Sequence, residues 1–108
     1  MDELTDPSDD LTVDVTVEAH RTVVITVVGE IDINTVEQIR TAVTQAADLE
    51  AARIVFDLAG VEFMDSSGIA ALIEARAAAR TVLLRKPSIP VQRLLVATGL
   101  TETLPVES

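Results

Sequence analysis

Apolar positions along the chain follow two rhythms. Leu11-Thr12-Val13-Asp14-Val15-Thr16-Val17-Glu18 alternates strictly between apolar and polar, the period of a strand with one buried face. Ala19-His20 reads as a tight turn. Thr22 to Val28 is richer in β-branched residues and alternates less, as in a strand covered on both faces. Gly29 ends it, and the short turn predicts an antiparallel hairpin. Glu30 to Thr35 reads as a loop. Val36, Ile39, Val43 and Ala46 then recur at helical spacing, predicting a helix to about Asp48. Asn34 with Glu37 three residues later has the spacing of a capping box at its start.

The second half repeats strand and helix. Arg53-Ile54-Val55-Phe56-Asp57-Leu58 reads as a strand at a central position, and Ala59-Gly60-Val61-Glu62 as a turn. Ile69, Leu72 and Ile73 recur at i, i+3 and i+4, which predicts a second helix from about Ser67 to Ala79. Thr81 to Arg85 is a fourth short strand. Ser88 is placed to cap a third helix with Pro90 in its first turn, and Val91, Leu94 and Leu95 make its inner face. Gly99 fits the left-handed residue past its end, with Leu100 packing back on Leu95. Thr103 to Val106 is a candidate edge strand. Strands alternating with helices imply parallel pairing through right-handed crossovers. The expected fold is a single α/β domain over residues 11–108. It has a mixed β-sheet with an N-terminal antiparallel hairpin, parallel βα units and three main helices packed on the sheet.

Composition narrows the function. The chain has 108 residues, one ordinary domain with room for a single core. There is no cysteine, so there is no disulfide framework and no thiolate metal site. No apolar run reaches the length of a membrane span, and the acidic N-terminus differs from a signal peptide. A cytoplasmic protein without membrane insertion is expected. Net charge is −10, with Asp2, Glu3, Asp6, Asp9 and Asp10 in the first ten positions. Residues 1–10 read as a disordered acidic leader. Without those five, 13 acidic residues still face 8 basic ones. Such a body repels phosphate backbones and anionic lipid, which argues against nucleic acid as a partner and suits a basic protein. The only aromatic residues are Phe56 and Phe63, so stacking platforms for bases are lacking.

The chemistry concentrates at Asp65-Ser66-Ser67-Gly68, between a strand-like run and a helix. The first N–H groups of a helix lack internal partners, and Asp and Ser side chains accept from them, so one reading is an N-cap. Ser67 is then a candidate cap with Ser66 facing solvent, and Gly68 a residue that permits close packing. The other reading is a modified serine, since a phosphate at a helix start meets free N–H groups and the positive end of the dipole. Catalysis finds no support. His20 is the only histidine, and nothing places it beside Ser66 as a triad requires. Met64 stands where a hydrolase elbow has glycine. Asp32, Glu62 and Asp65 could in principle share a hard cation, but Asp65-Ser66-Ser67-Gly68 lacks the spaced carboxylates of a calcium loop, and no glycine-rich phosphate loop exists. No cofactor is implied.

Together, Gly29-Glu30-Ile31-Asp32, Ile54-Val55-Phe56-Asp57-Leu58, and Val61-Glu62-Phe63-Met64-Asp65-Ser66-Ser67-Gly68-Ile69 resemble the STAS domain. More narrowly, they resemble the bacterial anti-sigma factor antagonists. Val91-Gln92-Arg93-Leu94-Leu95 with Thr98-Gly99-Leu100 matches the family's last helix, so the resemblance spans about residues 11–107. It implies a non-enzymatic protein whose unphosphorylated form binds an anti-sigma factor that is also a serine kinase, releasing a sigma factor. The implied phosphoacceptor is Ser66. A metal-dependent serine phosphatase would restore the active form. Asp32, Asp65, Ser66, Ser67 and Gly68 are the implied partner-binding residues. The alternative within the family is a STAS subunit of a transporter complex, or a signalling scaffold, that does not use Ser66 phosphorylation. A small nucleotide-binding protein or hydrolase is the competing reading from another class. The chain departs from the family pattern between Gly68 and Ser88, where it is about one helical turn short. Arg80-Thr81 replaces the customary Gly-Gly there.

Overall fold

A computed structural model describes residues 10–107. The expected leader lies outside the described residues except for Asp10, which is exposed. The elements are β1 (Leu11–Glu18), β2 (Thr22–Ile31), α1 (Val36–Asp48), β3 (Arg53–Met64), α2 (Ser66–Glu74), a 3₁₀ turn (Ala75–Ala77), β4 (Thr81–Arg85) and α3 (Ile89–Thr98). The strands form one sheet in the order β1-β2-β3-β4. The hairpin pairs antiparallel from Leu11 opposite Gly29 to Glu18 opposite Thr22. The β2–β3 and β3–β4 pairs are parallel, so β3 is an interior strand as expected. Beyond α3 the expected edge strand shrinks to one bridge, Leu84 with Val106.

Each crossover steps the same way across the sheet, so right-handed connections bring all three helices to one face. The core agrees. Val23, Ile25 and Val27 of β2, Ile54, Phe56 and Leu58 of β3, and Val82 and Leu84 of β4 join Ile39 of α1, Leu72 of α2, and Val91 and Leu95 of α3 in one cluster. Fully burying such a side chain contributes about 1.5–3 kcal/mol. Val24 and Val55 are also buried, and strand alternation turns them to the opposite face. Glu18 of one edge strand and Arg85 of the other share that face, and their ion pair spans it at 3.2 Å. Successive burial along Val23, Val24 and Ile25 matches the expectation of a strand covered on both sides.

Five local expectations change. β2 runs through Gly29 to Ile31 rather than ending at the glycine, because Glu30 and Ile31 keep pairing with Phe63 and Met64 of β3. The N-cap position of α1 is held by Thr35, not Asn34, and its side chain makes no capping bond; the Asp32 side chain organises the entry loop instead. The expected turn at 59–62 is strand, since β3 continues beside β2 by absorbing two irregularities in register. α2 starts at Ser66 with Asp65 as its cap, so Ser67 is inside the helix. It ends at Glu74 and tightens into the 3₁₀ turn rather than running to Ala79, which returns the chain to β4. α3 closes as expected. Gly99 is left-handed (φ 71°), and the Leu100 N–H reaches the Leu95 carbonyl at 2.9 Å.

Candidate functional site

The last pair of the β2–β3 ladder is Ile31 with Met64. Just beyond it the Asp65 N–H donates to the Ile31 carbonyl at 3.2 Å. The loops carrying Asp32 and Asp65 therefore leave the sheet side by side, at the carboxyl ends of parallel strands, where ligands of open α/β sheets bind. His20, in the hairpin turn before β2, lies at the other pole. Ten residues of β2 separate the two ends by about 30 Å, so no serine–histidine pair is assembled.

Asp32 is held by its own loop. Its carbonyl accepts the N–H groups of Thr35 and Val36 at 3.1 and 2.9 Å. Its carboxylate accepts those of Asn34 and Thr35 at 2.9 and 3.2 Å. Thr35 is the one buried polar residue among those described. Its hydroxyl donates to the Glu30 carbonyl at 2.8 Å and accepts the Asp32 N–H at 3.0 Å. A buried hydroxyl satisfied on both sides fixes the loop.

Asp65 does the same for the second loop. Its backbone is extended, and its carboxylate accepts the Ser67 N–H at 2.8 Å. Its carbonyl accepts from Gly68 and Ile69 at 3.1 and 3.3 Å. Ser66 is the first helical residue, is exposed, and takes no part in the cap. Gly68 is buried. A Cβ there would lie 2.4 Å from Met64 Cγ and 2.8 Å from Ile31 Cγ2, so the missing side chain lets α2 start directly on the ends of β2 and β3. Asp32, Asp65, Ser66 and Ser67 thus share one surface, with Gly68 beneath it.

A STAS domain family model matches residues 14–108. The chain belongs to the STAS domain family. The STAS chain is 36% identical over 86 residues to the anti-sigma F factor antagonist of Lysinibacillus sphaericus, covering 75% of this chain and 74% of that protein. Its fold is similar to the crystal structure of an anti-sigma factor antagonist from Mycobacterium paratuberculosis, with TM-score 0.82, 26% identity and coverage of 95% and 89% of the two chains. It is also similar to the Bacillus cell fate determinant SpoIIAA in its phosphorylated form, with TM-score 0.68, 25% identity and coverage of 90% and 92%. Among the described residues of this STAS domain, no helix is long and apolar enough to cross a membrane.

Two residues beside the site escaped the sequence reading. Ile33 is 75% exposed and Phe63 47% exposed. The surrounding acids, Glu30 and Glu62, are exposed as well. One signal was available in the sequence: no Lys or Arg occurs between Arg21 and Arg40, or between Arg53 and Arg76. The two loops carrying Asp32 and Asp65 therefore bring only negative charge, while Lys86 follows β4 at the same end of the sheet.

Proposed function

We propose that this STAS domain is an anti-sigma factor antagonist that binds an anti-sigma factor through the pole carrying Asp32, Asp65 and Ser66, and that phosphorylation of Ser66 switches it off. The observation that carries the reading is the placement of Ser66. Its hydroxyl is exposed at the first position of α2 while the neighbouring Asp65 caps the helix, so the serine is modifiable without unbuilding the cap. The relatives named above support the same reading.

The partner would be both binder and kinase. Transfer moves the terminal phosphoryl group of a nucleoside triphosphate to Ser66 Oγ, with the hydroxyl proton passing to a base on the kinase and the diphosphate leaving. The product carries about −1.5 to −2 charges at neutral pH. At a helix N-terminus negative charge is favourable by about 0.3–1 kcal/mol, and the Asp65 carboxylate offsets part of that gain, so the fold is retained. A contact shaped around a hydroxyl must instead desolvate and accommodate a phosphate, so the complex dissociates. A metal-dependent serine phosphatase would reverse the change. In this scheme Gly68 acts from below the surface by setting where α2 begins.

The test is functional. Purified chain is added to a preformed complex of the cognate sigma factor and anti-sigma factor, and sigma-dependent transcription is followed. Restored transcription is expected. An unaffected complex at saturating chain would contradict the reading.

A further inference from the structure

β3 is out of step with β2 at a telling place. Gly29 lies opposite Val61, yet the next residue of β2, Glu30, lies opposite Phe63. Glu62 is therefore the extra residue of a β-bulge, a feature that re-aims side chains at sheet ends and next to functional sites. The burial pattern records the effect: from Val61 to Met64 it runs buried, exposed, exposed, buried. Strict alternation from Val61 would have turned Phe63 inward and Met64 outward. The bulge keeps Met64 in the core under Gly68 and delivers Phe63 to solvent. Val28, 46% exposed, stands two residues before Glu30 and so on the same face as Phe63. Ile33 protrudes from the adjoining loop at 75% exposure.

The two chain ends that carry these apolar residues bear charge of one sign. Glu30, Asp32, Glu62 and Asp65 belong to the same two chain ends, and no Lys or Arg lies within 22–39 or 54–75. An exposed aromatic ring inside an acidic rim is complementary to an apolar pocket edged by Arg or Lys. We infer that Phe63, flanked by Ile33 and Val28, is the apolar anchor of the partner interface, and that its occupant is a pocket on the anti-sigma factor whose rim is basic. This rests on the antagonist reading and adds to it the residues that supply affinity. The two components divide the work. Buried aromatic anchors dominate binding energy and govern dissociation, whereas rim charges steer encounter and set the salt dependence.

The probe is the anti-sigma factor of the release assay, immobilised for binding kinetics. Wild type, Phe63→Ala, Ile33→Ala, the double variant Glu30→Gln/Glu62→Gln, and Ser66→Asp are compared, and each is also melted. Phe63→Ala is expected to weaken binding by about thirtyfold or more, mainly through faster dissociation, with a melting temperature no lower than wild type. Ile33→Ala is expected to show a smaller loss of the same kind. The double glutamine variant should associate more slowly and depend less on salt. Phe63→Ala binding like wild type while Ser66→Asp fails to bind would overturn the anchor and leave the phosphoswitch standing. Loss of binding in Phe63→Ala with Ser66→Asp unaffected would support the anchor and remove the switch. A melting temperature for Phe63→Ala that falls as for a core residue would also overturn the inference, since Phe63 would then be structural.

Discussion

The Asp65 carboxylate accepts the Ser67 N–H at 2.8 Å and reaches past Ser66. The helix start is thereby capped by a residue that is not the proposed phosphoacceptor. Asp65→Ala should destabilise the domain by about 1 kcal/mol, the usual cost of losing an N-cap. Asp65→Asn, which retains an accepting oxygen, should stay close to wild type. Urea unfolding of the three proteins measures the difference.

Gly68 is more constrained than the serines before it. Gly68→Ala would press a methyl group into Met64 and Ile31, and overpacking of this kind costs about 1–3 kcal/mol. Combining it with Met64→Ala should cost less than the sum of the two single changes, because the second opens the space the first needs. A double-mutant cycle by chemical denaturation reads the coupling. Additive losses would mean the methyl group is accommodated elsewhere.

Acid should loosen the face of the sheet opposite the helices. The Arg85 guanidinium bonds Glu107, with its second contact at 3.2 Å, and reaches Glu18 at 3.2 Å. Hydrogen bonding to Arg85 holds the Glu107 carboxyl below its ordinary value. A carboxylate depressed in the folded state stabilises the fold at pH values above its unfolded pKa, about 4.3. That contribution is lost as pH falls through the lowered folded value. Glu74, bonded to Arg40, shifts the same way for the same reason. Melting temperatures of wild type and Glu107→Gln should differ at pH 7, and the gap should narrow as pH falls below the unfolded carboxylate pKa. A constant gap across that range would contradict the assignment.

Ser88 occupies the N-cap position of α3, yet its hydroxyl makes no capping bond. The oxygen is buried without a partner. An unsatisfied buried hydroxyl has already lost its water, so Ser88→Ala should be neutral or slightly stabilising, unlike an ordinary cap deletion. Thermal unfolding settles the sign.

The strands and their pairing were legible because burial writes itself into the sequence at period two. β1 carries the alternation of a half-covered strand, and β2 and β3 the continuous apolar runs of an interior. What stayed hidden involved competition between local and long-range terms. Ala59-Gly60 looks like a turn, but the β2 ladder holds those residues as strand. Asn34 has the right spacing for a capping box, but the Asp32 side chain claims the N–H groups of Asn34 and Thr35. Alanine-rich residues 75–79 favour helix, yet the short route to β4 cuts the helix at Glu74. At the candidate site, Ser66 at the helix start and the aspartate before it were readable from the motif. The outward turn of Phe63 was not, because a bulge inverts parity and leaves no mark in composition.

The proposed switch at Ser66 is tested most directly by locating the phosphate and measuring its effect on one sample. Wild type, Ser66→Ala and Ser67→Ala are incubated with the cognate anti-sigma factor kinase and a magnesium nucleoside triphosphate. Intact mass and peptide mapping follow, together with affinity for the same kinase before and after modification. The account predicts one phosphate, on Ser66, in wild type and Ser67→Ala, and none in Ser66→Ala. Affinity should fall more than about tenfold in the modified forms, as for the loss of a good buried interface contact. Phosphate on Ser67 with Ser66 unmodified, or a Ser66-phosphorylated protein that binds as tightly as the unmodified one, would contradict it.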